Sequence, residues 1–79
     1  MTLTLLFFGA TADEVGTRSK RIDAPDTSRV SDAVELILAD HPNLRRHKLL
    51  FSVNQEYVSE DATLKGGDEI AIFTAVSGG

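Results

Sequence analysis

The residues best placed to do chemistry are the last ones, Ser77-Gly78-Gly79, which follow directly on an apolar run ending at Val76. Two glycines after a strand add nothing to a fold, but they let the backbone take any φ and pass through a slot too narrow for a side chain. What they deliver is one carboxylate, that of Gly79, at the end of a short tether. A carboxylate is a poor electrophile, so it must be activated before it can react. Fully extended, Val76 to Gly79 spans about 10–13 Å. That length carries a terminus into a partner's pocket while the globular body stays outside. Gly79 is therefore the expected reactive residue, with Gly78 and Ser77 as the segment that threads.

The body that must carry this tail is small. The 79 residues, 42% of them apolar, make one domain with a modest core and no room for a walled active site of its own. Eight basic residues against 12 acidic ones leave a net charge of −4, which argues against nucleic acid and favours basic protein partners. With no cysteine there is no disulfide, thiolate metal site or thiol nucleophile. His41 and His47 lack neighbours at metal-ligand spacing, so no metal is expected. The first apolar run, Leu5 to Phe8, is too short for a signal h-region or a membrane span. The expected protein is cytoplasmic and binds no membrane.

Leu3, Leu5 and Phe7 alternate with Thr4, Leu6 and Phe8, predicting a first strand. Gly9 to Gly16 reads as a loop, and Ser19 to Ala24 as a second strand ended by Pro25. Val30, Ala33, Val34, Ile37 and Leu38 form the stripe of one helix. Thr27 and Ser28 are its candidate caps, Asp32 lies in its first turn, and His41-Pro42 ends it. A loop carries the basic run Arg45 to Lys48, read as a solvated segment. Leu49 to Val53, Tyr57-Val58 and Ile70 to Val76 are the remaining strands, with Leu64 a buried anchor and Gly66-Gly67-Asp68 a turn. The order β-β-α-β-β-β predicts an α+β, β-grasp fold: a mixed sheet of about five strands covering one main helix. Its first and last strands would lie parallel at the centre.

The motifs Leu6-Phe7-Phe8-Gly9, Val53-Asn54-Gln55 and Leu64-Lys65-Gly66-Gly67-Asp68-Glu69-Ile70-Ala71-Ile72-Phe73, with Val76-Ser77-Gly78-Gly79 at the end, resemble the small subunit of molybdopterin synthase. That family comprises ubiquitin-like β-grasp sulfur carriers, and the resemblance spans the whole chain. It implies a body over residues 1–76 and a flexible reactive tail over 77–79. It further implies that Gly79 is adenylated by an activating enzyme that uses ATP, the carrier binding no cofactor itself. The acyl-adenylate becomes a thiocarboxylate and donates sulfur to a pterin precursor held by the large subunit, in a heterotetramer. The carrier is then a consumed and regenerated subunit of a sulfurtransferase, not a catalyst alone. Two departures from the family pattern are present. Thr74-Ala75 stands where Pro-Pro is usual, and small residues around Thr11-Ala12 replace an arginine common after the Phe-Phe pair.

Docking requires a surface. If Leu3, Leu5 and Phe7 face the helix, Leu6 and Phe8 face away, and on the last strand Ala71 and Phe73 do the same. The resemblance adds Tyr57 to that face. Phe8, Tyr57 and Phe73 are the expected partner interface. Other functions stay open at this point: a ubiquitin-like modifier joined to lysines through Gly79, a carrier for thiamine or tungsten-cofactor synthesis, or a plain β-grasp binding domain.

Overall fold

A computed structural model of the chain describes residues 1–75; the expected tail residues Ser77, Gly78 and Gly79, with Val76, lie outside the described residues. The alternating start of the chain forms strand β1 (Thr2–Phe7), followed by a short helix α1 (Ala10–Val15) and strand β2 (Ser19–Asp23). Helix α2 (Val30–Asp40) crosses the sheet and runs into a 3-10 turn over Pro42–Arg46. Strands β3 (Leu49–Val53), β4 (Glu56–Val58) and β5 (Glu69–Thr74) complete a five-stranded sheet in the order β2-β1-β5-β3-β4. β5 lies at the centre, parallel to β1 and antiparallel to β3. This is the expected β-grasp arrangement.

Period-2 alternation sends Leu3, Leu5 and Phe7 of β1 and Ile70 and Ile72 of β5 to one face, where all five are essentially solvent-free. The α2 stripe of Val30, Ala33, Val34, Ile37 and Leu38 covers them, with Leu44 and Leu64 closing the core at its margins. Each large side chain buried there contributes about 1.5–3 kcal/mol, so this one layer dominates the stability of so small a domain.

Three local expectations are corrected. Residues Gly9 to Gly16 are not a plain loop, since Ala10–Val15 makes a turn and a half of helix. Gly16 closes it with φ 87° and an N–H donated to the Ala12 carbonyl at 2.8 Å, the usual left-handed stop. Thr11 is fully buried on its inner side. The cap of α2 is neither Thr27 nor Ser28 but Arg29. Ser28 is committed elsewhere, its N–H donating to the Pro25 carbonyl and its carbonyl accepting from Leu64. The helix start is satisfied from outside: Val30 and Ser31 donate to the carbonyls of Ala62 and Glu60, while the Asp32 carboxylate accepts the Arg29 N–H at 2.8 Å. The basic run is exposed throughout, as expected, but Arg45 and Arg46 lie in the 3-10 turn and not in a plain loop, with Leu44 of the same turn fully buried. There Arg45 pairs with Glu35 of α2 at 3.0 Å.

Candidate docking face and tail root

The second face of the sheet is where the sequence-predicted aromatics meet. Strand register sets Leu6 beside Ala71, Ala71 beside Ser52 and Ser52 beside Tyr57, a single row across β1, β5, β3 and β4. The middle of the row is small, Ala71 and Ser52, and its ends are large. A shallow depression of roughly 290 Å³ results, lined by Leu6, Phe8, Ser52, Tyr57, Ala71 and Phe73 among others. Phe73, paired in register with Leu50, sits edge-on to Tyr57 with ring centroids 5.9 Å apart and planes at 65°.

Exposure separates this face from a second core. Tyr57 is 82% and Phe8 53% exposed, whereas Phe7, one residue earlier, is 1% exposed. Large apolar side chains left in water on one concave face are expensive to maintain in a free monomer and are the usual mark of a contact surface. The structure thus brings Phe8, Tyr57 and Phe73 together. Ser52, Gln55 and Glu69, which are not among the interface residues expected from the sequence, join the same depression. The signal for Ser52 was available, since the alternation that points Phe51 toward the core points Ser52 outward. Gln55 is set by turn geometry that alternation does not report.

That turn is well fixed. Asn54 and Gln55 link β3 to β4 with φ of 50° and 72°, both in the left-handed region, as a two-residue hairpin requires. The Asn54 side chain donates to the Asp68 carboxylate and accepts the Glu69 N–H, each at 3.0 Å, while its own N–H donates to the Glu69 carbonyl at 2.8 Å. The turn is fastened to the start of β5.

At the other end, β5 holds the chain in the sheet up to its last described residue. Thr74 pairs with Leu49, and the Ala75 N–H donates to the Lys48 carbonyl at 3.3 Å. A proline at 75 would lack that N–H, so the Thr74-Ala75 departure lets the ladder run one bond further. The tail root thus lies one residue beyond Thr74, and Phe73 of the candidate docking face directly precedes Thr74 on the same strand. The second departure also has a structural reading, because Thr11 takes a buried hydroxyl into the junction of β1 and β5. Among the described residues, no three His, Cys, Asp or Glu side chains could hold a metal ion, and no helix is long and apolar enough to cross a membrane.

Comparison with known proteins gives a consistent picture. The ThiS family model matches residues 5–79. The molybdopterin synthase sulfur carrier subunit of Homo sapiens is 35% identical over 80 residues, covering 95% of this chain and 91% of that protein. The subunit of the same name from Escherichia coli (strain K12) is 36% identical over 86 residues, covering 98% and 99%. Among solved structures, SAMP1 of Haloferax volcanii, a small archaeal modifier protein, superposes with a TM-score of 0.87 at 27% identity over the full length of both chains.

Proposed function

The chain belongs to the ThiS family, and we propose that within it the chain is the sulfur-carrier subunit of a molybdopterin synthase. In this reading the Gly79 carboxylate attacks ATP on an activating enzyme, releasing pyrophosphate and leaving an acyl-adenylate. A sulfur nucleophile then displaces AMP to give the thiocarboxylate. The sulfur passes to a pterin precursor in the large subunit's pocket, and hydrolysis restores the carboxylate. The work is cytoplasmic, and the carrier holds no cofactor of its own.

The observation that carries the reading is continuity between docking face and tail root. Phe73 lies in the same depression as Phe8 and Tyr57, and the strand that bears it ends at the next residue, Thr74, with the root of the Gly-Gly tail at Ala75. A partner seated on this face would have the tail's origin at its edge. Four residues, Val76 to Gly79, follow Ala75, a reach of up to about 13–14 Å, enough to cross a pocket wall. The names of the human and Escherichia coli relatives, both molybdopterin synthase sulfur carrier subunits, support the same reading. The likeness to an archaeal modifier supports a second, in which Gly79 ends in an isopeptide bond to lysines of other proteins.

Complementation tests the first reading. In a host lacking its own carrier subunit, the intact chain is expected to restore molybdenum-cofactor-dependent activity. The chain without Gly79 is expected to fail while folding normally, with stability within about 0.5 kcal/mol of the parent. Restoration by the truncated chain contradicts the proposal.

A further inference from the structure

Gln55 occupies a position that the fold alone would give to glycine. It is the second residue of a two-residue hairpin loop at φ 72°, where Asn-Gly is the unstrained solution and a side chain with a Cβ is penalised. The preceding Asn54 suits its own left-handed position and is tied to Asp68 and Glu69, so the turn cannot relax by shifting register. Strain kept at a rigid, exposed position calls for a reason outside the fold. The side chain supplies one: Gln55 lines the depression that holds Phe8, Tyr57 and Phe73. Its amide makes no hydrogen bond to any other described residue.

Resting on the docking role of that face, we propose that Gln55 is a specificity-determining contact for the large subunit. Its amide, in a depression that holds Ser52 and Glu69 beside the apolar residues, pairs with an exposed main-chain peptide group of the partner. A primary amide offers both donor and acceptor, as a peptide group does, so it can satisfy both halves of one peptide without introducing charge. The strained backbone fixes the amide's origin beside the aromatic cluster and limits the ordering it must undergo on binding.

The test pairs stability with affinity for the purified large subunit of the same organism. Gln55→Gly is expected to raise the melting temperature, because it relieves the backbone, and to weaken binding by about fivefold to tenfold, the worth of one hydrogen bond. Gln55→Ala is expected to weaken binding equally without the gain in melting temperature. Phe73→Asp serves as the control for the face itself. If Phe73→Asp weakens binding while Gln55→Gly binds as tightly as the parent, the role of Gln55 is overturned and the docking face stands. If Phe73→Asp also binds normally, the docking face itself is wrong. A Gln55→Gly protein that loses stability along with affinity would make Gln55 a structural support and overturn the proposal.

Discussion

The hydroxyl of Thr11 lies 2.7 Å from the main-chain carbonyl of Ile72, to which it donates across 61 residues of sequence. The same oxygen accepts the Phe8 N–H at 3.0 Å. β1 ends at Phe7, opposite Ile72, so one threonine takes over where the ladder between β1 and β5 stops. It serves one main-chain group of β5 and one just past the end of β1, and so sets the backbone of Phe8, a residue of the candidate docking face. Thr11→Val keeps the shape but leaves the Ile72 carbonyl unpaired in a buried site and the Phe8 N–H unpaired in a partly buried one, which should cost about 1–3 kcal/mol. Thr11→Ser keeps the hydroxyl and should stay within about 1 kcal/mol of the parent, the loss of one methyl. Urea unfolding of the two variants checks this, and equal losses would assign Thr11 a packing role only.

Phe8→Asp and Phe73→Asp should separate docking from folding. Phe8 is half in water, so the free protein should tolerate the change with a shift of about 0.5 kcal/mol or less. Phe73→Asp also loses the edge contact with Tyr57, so a further loss of about 0.5–1.5 kcal/mol is expected. In the complex each carboxylate would be desolvated without a partner. Affinity for the large subunit should fall at least tenfold, about 1.4 kcal/mol. Calorimetric titration reads the affinity and thermal unfolding reads the fold. A variant that unfolds outright would place its aromatic in the core.

Gly78→Val tests the tail as a thread. A β-branched side chain stiffens the backbone and widens the tether. The docking face is untouched, so affinity for the large subunit should change little while sulfur transfer is lost. A fall in affinity matching the fall in transfer would show that Gly78 contributes to binding and not to clearance.

The fold was legible where periodicity is long. The stripe from Val30 to Leu38 and the alternation in β1 and β5 each have enough repeats to assign a face, and both faces came out as expected. Helix α1 is not legible in the sequence because six residues are too few to display a period, and a glycine such as Gly16 punctuates a loop as well as it stops a helix. The cap of α2 was missed for a different reason. Its N–H groups are satisfied by the loop carrying Glu60 and Ala62, a tertiary arrangement with no local signature around Thr27 and Ser28. At the site, alternation located Phe8 and Phe73. Tyr57 came from family resemblance, and the structure supplies its physical reason in the Ser52–Tyr57 pair. The conformation of Gln55 was invisible beforehand, because nothing in the Asn54-Gln55 dipeptide announces a positive φ at the glutamine.

Intact-protein mass spectrometry of the chain purified from its own host tests the central claim most directly. A sulfur carrier is predicted to show a fraction heavier by one oxygen-to-sulfur exchange, localised to Gly79 by fragmentation and lost on deletion of that residue. The contradicting result is a chain carrying only the carboxylate when free, together with Gly79 in isopeptide linkage to lysines of other proteins.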